Sequence, residues 1–518
     1  MNKSAKLTLT ISVFIFIVSF FLRFYGLWNN HPFWVDEFST ADQARQILQF
    51  GPTFFLNNKA FFEPHNITTY SLVALFFRFF GEHEWVARFP FVLIGSLVPM
   101  IVFLLTKKVL NLTTAISVSL LTIFSYYEIV WSRQARGYAL LQLFILIVLY
   151  VYIKLIQEKK TIFKYFVFLI FISFLGIMTH AFFFLLVFAL FVHYLFFQLK
   201  IKKSNKIILN YKTFIVICFT FFLLQITGML SLLLKSLFVS RLSFVNNFWY
   251  YHSFLWREYG LITFLGILGL GVAYKLEKKI SSIFIFYAIV HLFFISFFLG
   301  PYTSRYILPI FPLFLIGTAY VIHILSTLLT KNTKLSTSIS IFIISFIIGN
   351  GYKFVNKPKA FYSVNHDFRE IALIDYHKVY EIIKNKSKNN IVVIETWPAR
   401  AYWYLGHYYQ PIYIFKWKNE RISINGFIIQ RSKYNLNKKG EKIFQGENNL
   451  KLIEDTEDLQ KVIQQYKKGF IFIDDSSLPK DVREYAEKNL KKELYLDHYP
   501  LDDNPYSIWP ATLYSWGV

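Results

Sequence analysis

The chain has 518 residues, 55% of them hydrophobic, and a mean hydropathy of +0.42. That is more apolar surface than a soluble fold buries, so the composition indicates a polytopic membrane protein. A net charge of +24 would suit nucleic acid in a soluble chain, but in a membrane protein excess lysine marks cytoplasmic loops, and no nucleic-acid partner is expected.

The first apolar run, near 8–28, follows Lys3 and Lys6 and lacks a small-residue cleavage site, so it reads as a retained anchor. Further runs of spanning length lie near 86–106, 111–131, 136–155, 162–178, 181–199, 213–238, 259–275, 281–299, 306–329 and 336–352. With the first run they make about eleven spans, close to the roughly 17–25 residues a bilayer requires. Another run, ITTYSLVALFFRFFG at 67–81, is short, polar at its start and contains Arg78. It reads as an interfacial or re-entrant helix. The lone cysteine, Cys218, falls inside an apolar run and forms no intrachain disulfide.

Lysine placement tests this count. With the N-terminus inside, Lys107, Lys108, Lys159, Lys160, Lys202, Lys203, Lys206, Lys278, Lys279, Lys331 and Lys334 all fall in cytoplasmic loops, as the positive-inside rule requires. Counting 67–81 as a span would move every later lysine-rich loop outside. Residues 29–85 and those after about 353 are therefore expected on the outer face of the plasma (inner) membrane. The outer side of the membrane domain instead holds Arg45, Arg78, Arg88, Arg133, Arg136, Arg241, Arg257 and Arg305, with Lys59 and Lys235 as the lysine exceptions. Some of these fit lipid-headgroup anchoring. Arg133 and Arg136 lie in a tight outer turn where insertion disfavours positive charge, and arginine suits bidentate recognition of phosphate.

After about 353 the composition becomes charged and mixed. IVVIE (391–395) and GFIFID (469–474) read as buried strands, 375–386 and 481–493 as helices, and ARAYWYLGHYYQPIYIF as a helix leading into a strand. The expected fold class is an α-helical polytopic membrane protein with a C-terminal extracytoplasmic α/β domain. Its boundaries are 1–352 for the membrane domain, including the outer loop 29–85, and 353–518 for the soluble domain. Residues 417–450 give no clear pattern. The pair at 474–475 follows a strand and reads first as a strand-end turn or helix cap, with a ligand site as the lesser alternative.

The polar residues that stand out gather on the outer side. The first outer loop carries His31, Asp36, Glu37, Asp42, Glu63 and His65, while Glu128, Arg133, Arg136, His180 and Arg305 lie at outer ends of other spans. Such groups at membrane depth are costly and mark function. Near the middle of the spans only His291 is ionisable, which argues against an ion-coupled transporter. A carboxylate near arginines suits group transfer from a phosphate to a hydroxyl: the carboxylate takes the hydroxyl proton and the guanidiniums hold the departing phosphate. Nucleotide-activated sugars are cytoplasmic, so a transferase working outside needs a donor that has already crossed. A polyprenyl-phosphate sugar meets that need.

At these residues a family resemblance enters. WVDEFSTADQARQIL resembles the acidic first-outer-loop motif of the GT-C membrane glycosyltransferases. NITTYSLVALFFRFFGEHEWVARFPFVLIGSL is similar to the next segment of their polyprenyl-phosphate-sugar branch, a surface helix leading to Gly81, Glu84, Trp85, Arg88 and Pro90. SRQARGYALLQL, MTHAFFFLL and TSRYILPIFPLFL resemble three further blocks. The likeness runs through roughly 10–330, and the branch includes protein O-mannosyltransferases and the lipid A aminoarabinose transferase. It implies Asp36 as the catalytic carboxylate, with Glu37 positioning the acceptor or holding the loop. It implies Arg136, Arg133 and Arg305 at the donor phosphate, Arg136 foremost, and Glu63, His65, Arg88 and His180 at the substrate. EPHN at 63–66 departs from the Pro-Pro or Lys-Pro pair of many members, which leaves the roles of Glu63 and His65 open. Some relatives use a divalent metal, for which Asp36, Glu63 and His65 are the available ligands; no other cofactor is implied.

The expected activity is inverting transfer of a hexose or pentose from a polyprenyl-phosphate donor to a hydroxyl of a cell-envelope glycan, lipid or protein. Two rival readings remain, a lipid-linked-sugar flippase or transporter and a non-catalytic glycan-binding relative. Adjacent acids after Trp34 also fit a plain helix N-terminus, where they interact with the helix dipole.

Overall fold

The structure, a computed structural model, describes residues 3–51, 66–157, 162–201, 244–276, 278–300, 302–351, 353–363, 373–386, 391–395, 398–406, 412–415, 422–424, 427–429, 434–436, 442–444, 451–474, 480–497 and 511–518. In chain order its helices are α1 (Lys3–Phe24), α2 (Val35–Phe50), α3 (Ile67–Phe80), α4 (Glu84–Val109), α5 (Leu112–Phe124), α6 (Tyr126–Ser132), α7 (Tyr138–Gln157), α8 (Ile162–Ile177), α9 (Phe183–Ile201), α10 (Phe248–Leu276), α11 (Lys278–Phe297), α12 (Phe311–Leu329), α13 (Thr333–Asn350), α14 (Tyr376–Lys386), α15 (Pro398–Leu405), α16 (Thr456–Gln465) and α17 (Lys480–Asn489). The chain divides into two compact units. One comprises residues 1–28 and 63–360, the other 29–62 and 361–518. The segment 29–62, grouped by sequence with the membrane domain, thus clusters with the C-terminal residues.

The first unit is helical. Among the described residues six helices are long and apolar enough to cross a membrane: Ser4–Asn29, Glu84–Val109, Tyr138–Gln157, Phe248–Leu276, Ser304–Leu329 and Thr333–Asn350. Shorter apolar helices occupy Leu112–Phe124, Phe163–Ile177, Phe183–Tyr194 and Ser281–Phe297, at positions read as spans from the sequence. The chain is a multi-pass membrane protein. The run at 213–238 lies outside the described residues. The short run at 67–81 forms α3, 14 residues long, or about 21 Å at the α-helical rise, against about 30 Å for a hydrocarbon core. Tyr70, Val73, Ala74 and Phe77 bury one face of it, while Leu75, Phe79 and Phe80 are exposed. Gly81 ends it at φ 82, donating its N–H to Phe77 O, a left-handed position that glycine adopts without a Cβ clash.

Two structures differ from the single helices expected. The run at 111–131 breaks at Ser125, whose extended backbone (φ −61, ψ 121) separates α5 from α6. A break at this depth frees backbone groups that must find partners. Val355 N donates to Phe124 O (2.7 Å) and Tyr126 N to Lys353 O (2.9 Å), so the extended stretch 353–355 supplies them. α10 begins at Phe248, well before the expected 259, and kinks at Tyr259. There the Thr263 hydroxyl donates to Leu255 O (3.0 Å) across the kink. Beyond the kink α10 packs on α12 through Gly266, Gly269 and Gly317, where a Cβ would collide with the facing backbone. Small residues allow this approach where no water drives helices together.

The second unit contains a mixed sheet. Its strands are β1 (Val392–Glu395), β2 (Ile412–Phe415), β3 (Ile422–Ile424), β4 (Phe427–Ile429), β5 (Tyr434–Leu436), β6 (Lys442–Phe444), β7 (Lys451–Ile453), β8 (Gly469–Ile473), β9 (Lys491–Leu496) and β10 (Ala511–Trp516). Among the described residues the main sheet runs β5-β6-β7-β2-β1-β8-β10-β9, with β3 and β4 forming a separate pair. β7, β2, β1 and β8 are mutually parallel. As expected for a parallel centre covered on both faces, VVIE and GFIFI are buried throughout. Leu459, Val462, Val482 and Ala486 of α16 and α17 pack on Val392, Ile394 and Ile471. The helix expected at 481–493 stops at Asn489. Lys491–Leu496 instead pairs antiparallel with β10, because the ladder with 511–516 outweighs local helix propensity.

Candidate functional site

In the second unit, Asp36 and Glu37 occupy the first turn of α2, after Trp34 in extended conformation. The amides of Glu37 and Phe38 donate to Trp34 O. The acid pair therefore does sit at a helix N-terminus, where partial positive charge favours anions. Neighbouring positions on a helix point about 100° apart, and the two acids differ accordingly: Glu37 is buried, whereas Asp36 is half-buried. Of the pair, Asp36 is the more accessible to a substrate. Glu37 lies on the face that carries the buried Phe38, Ala41 and Ala44. His31, in the approach to α2, is buried and donates from Nδ1 to Pro32 O (2.7 Å). Glu63 and His65 lie outside the described residues, so of the three suggested metal ligands only Asp36 is described.

In the first unit, four short segments converge around Tyr138. The Arg305 guanidinium lies 5.6 Å from the Tyr138 ring and 5.7 Å from that of Tyr306. The His180 ring lies 5.1 Å from Tyr138, and its Nδ1 accepts from Phe182 N (3.1 Å). That bond fixes the imidazole orientation, leaving Nε2 as the other polar atom. Gly137, between Arg136 and Tyr138, has room for no Cβ against Thr69 of α3. The amide of Thr68 donates to Met178 O (3.3 Å). The segments carrying Arg136, Tyr138 and His180 thus meet the N-terminal end of α3, Arg305 lies against Tyr138, and Arg136 and Arg305 are both half-buried. Arg88 is fully buried.

Arg133 differs. Its Nη1 donates to Arg23 O and Tyr25 O (both 2.8 Å), and its Nη2 to Gly26 O (3.4 Å) and Ala360 O. It is fully buried and gathers carbonyls left over at the end of α1, the usual need of a helix C-terminus. The sequence reading missed Arg23 altogether, because it falls at the end of a long apolar run. Arg23 is fully buried, donates to Ser19 Oγ (2.7 Å) and to the carbonyls of Thr122 and Ile123, and attracts Glu128 electrostatically. Glu128 accepts from Gln142 Nε2 (2.9 Å), which also reaches Leu308 O (2.8 Å). Lys353 and Glu258 form a buried ion pair at 2.6 Å. His291 donates from Nε2 to Tyr306 O (2.7 Å). These interactions hold the breaks, turns and loop ends of the bundle in place.

The second unit holds a further buried cluster. Arg400 bonds to Asp474 and, at 2.9 Å, to the Tyr376 hydroxyl, with its Nε 3.8 Å from Glu395. Glu395 accepts from Tyr380 OH and from Ala401 N (3.0 Å). Burial pushes the Glu395 carboxyl up to about 7, against the lowering effect of Arg400. Asp474, expected to be a strand-end turn or cap, is instead an ion-pair partner.

Residues 65–225 match the family model for dolichyl-phosphate-mannose-protein mannosyltransferase. No curated protein sequence matches the chain. Among solved structures, ArnT from Cupriavidus metallidurans in the apo state aligns with a TM-score of 0.60 at 12% identity, covering 99% of this chain and 98% of that one. The same protein bound to undecaprenyl phosphate aligns with a TM-score of 0.59 at 12% identity, covering 99% and 97%. The chain therefore has the fold of ArnT along essentially its whole length. The resemblance to polyprenyl-phosphate-dependent GT-C proteins, read first from five short blocks, is borne out.

Proposed function

We propose that this protein is an inverting membrane glycosyltransferase that moves a sugar from a polyprenyl-phosphate donor to a hydroxyl of a cell-envelope glycan, lipid or protein. The observation that carries the proposal is the agreement between the family match over 65–225 and a fold shared, end to end, with a protein also crystallised with undecaprenyl phosphate. The N-terminus is assigned to the cytoplasm and residues 353–518, with the 29–85 loop, to the outer face of the plasma membrane. Lysine-only inner loops support this orientation.

Asp36 is assigned as general base. It takes the proton from the acceptor hydroxyl as that oxygen bonds to the anomeric carbon of the donor. The bond from that carbon to the phosphate oxygen breaks in the same displacement, and its electron pair leaves on the polyprenyl phosphate. Attack opposite the leaving group inverts the centre. Phosphate departs without a protonating acid, unlike the leaving alcohol in glycoside hydrolysis. Arg136 and Arg305 are assigned to the growing phosphate charge. Arg133, whose Nη groups already serve four carbonyls, drops to a structural role in this scheme. His180, Arg88, Glu63 and His65 remain substrate-side assignments, and Glu37 holds the loop.

The decisive experiment compares purified wild type with Asp36→Asn on a panel of polyprenyl-phosphate sugars, measuring release of free polyprenyl phosphate in the presence of a cell-envelope acceptor extract. The amide keeps the shape and removes the base. Consumption of one donor by wild type, with binding but no consumption by the variant, is the expected result. Donor movement across vesicles by both proteins without cleavage would replace the transferase reading with a flippase.

A further inference from the structure

The proposed base rides on α2, and α2 is bound to the α/β unit at a defined place. Arg45 of α2 stacks its guanidinium 4.1 Å from the Trp403 ring and donates from Nη1 to Tyr402 O (3.2 Å). Phe33, just before α2, meets Trp403 at 5.0 Å. Phe38 meets Tyr376 and Tyr404, each at 5.7 Å. Phe33 and Phe38 are both fully buried. Three of these four partner residues, Tyr402, Trp403 and Tyr404, belong to α15, a helix of only 8 residues. Its own propensity cannot hold so short a helix in water, so something else must fix it.

What fixes it is Arg400. β1 and β8 are parallel neighbours, and Glu395 ends the first while Asp474 follows the second. Arg400, in the first turn of α15, lies between these carboxylates and also donates to Tyr376 OH. Glu395 in turn accepts the α15 amide of Ala401 and the hydroxyl of Tyr380, and Tyr380 stacks on Tyr404 at 4.8 Å. Ion pairs of this kind are geometrically demanding: a buried charge that loses its partner is strongly unfavourable, so the arrangement is kept or the site opens.

We propose that Arg400 is a positioning residue for Asp36: by tying α15 to the carboxyl ends of β1 and β8 it sets the platform on which Phe33, Phe38 and Arg45 seat the first turns of α2. The α/β unit then serves as a clamp on the carboxylate-bearing helix. This inference rests on the assignment of Asp36 as base. Positioning errors act steeply, since a displacement of about 1 Å costs on the order of 100-fold in rate.

The test uses the full-length protein in detergent or nanodiscs, with Arg400→Met, Arg400→Lys and Trp403→Ala. The last loosens the α2 contact and leaves the ion pair in place, so it carries the test should Arg400→Met fail to fold. Two readouts are taken, kcat and donor KM for transfer, and hydrogen exchange of the α2 amides, which needs no activity. Arg400→Met and Trp403→Ala are expected to speed exchange across 35–50 while leaving 84–157 unchanged, and to lower kcat about 10- to 100-fold with donor KM within about twofold, because the guanidiniums assigned to phosphate are untouched. Arg400→Lys should restore part of the rate. The double variant Arg400→Met/Trp403→Ala should cost no more than the worse single one, as expected for two links of one chain. Unchanged exchange in α2, or a rise in KM at constant kcat, overturns the clamp. Loosened α2 with full activity in Asp36→Asn instead overturns the assignment of Asp36 and leaves the clamp standing.

Discussion

Glu395→Gln gives the most direct test of the electrostatics inside the α/β unit. Burial raises the Glu395 carboxyl from 4.5 to about 7, with Arg400, the Tyr380 hydroxyl and the Ala401 amide lowering it less than burial raises it. The folded unit therefore binds the proton more tightly than the unfolded chain between those values, and stability must fall as pH rises through that window. For a single site of this kind the change from pH 5 to pH 8 is about 2–3 kcal/mol. Most of it is lost before pH 7, and little further change follows above it. The amide of glutamine is uncharged at every pH, so the variant should lose this slope and match or exceed wild type at pH 8. Hydrogen exchange of the β1 and β8 amides, corrected for intrinsic rates and followed in mild urea from pH 5 to 8, reads opening of this unit apart from the membrane helices. A wild type whose protection is flat over that range, or a variant that retains the slope, would refute the assignment of the buried charge to Glu395.

Other outcomes follow from individual contacts. Arg133→Met should lower thermal stability by about 3 kcal/mol, because it strands buried carbonyls at the end of α1; a donor KM that rises without loss of stability would return Arg133 to the phosphate. Arg136→Ala and Arg305→Ala should each reduce kcat/KM at least 10-fold, corresponding to about 1.4 kcal/mol or more of lost transition-state stabilisation. Unchanged kinetics in both would remove the arginines from the reaction. Gly317→Val, set against the Gly266 backbone, should destabilise the α10–α12 pair by about 1–3 kcal/mol, read as a lower unfolding temperature in detergent.

The bundle was largely legible because apolar runs of spanning length leave the chain few alternatives in a bilayer. The break at Ser125 was not. Phe124, Ser125 and Tyr126 sit in an apolar run, and the partners that make the break affordable, Lys353 and Val355, come from more than 200 residues away. Arg23 was missed for the same reason: at the end of a long apolar run it passes for a snorkelling anchor, and its bonds to Ser19, Thr122 and Ile123 are visible only in three dimensions. In the α/β unit the buried strands announced themselves by continuous β-branched and aromatic runs. Asp474 was misread because a strand-end acid is more often a cap than half of an ion pair.

Arginine shows where sequence reasoning reaches its limit. Composition and topology single out an excess of outer-side guanidiniums and the chemistry they suit, yet the same group serves opposite ends depending on what surrounds it. Arg133 donates to carbonyls, each of its Nη groups serving two of them. Arg400 faces two carboxylates, so its charge is locked to the strands. Arg305 lies against the rings of Tyr138 and Tyr306, half-buried. Aromatic faces orient a guanidinium by its flat surface. This ring contact supports the proposed assignment of Arg305 to the donor phosphate. Arg305 thus joins Arg136 as a proposed phosphate ligand, whereas Arg133 and Arg400 are proposed to build the structure that keeps the reacting groups in place.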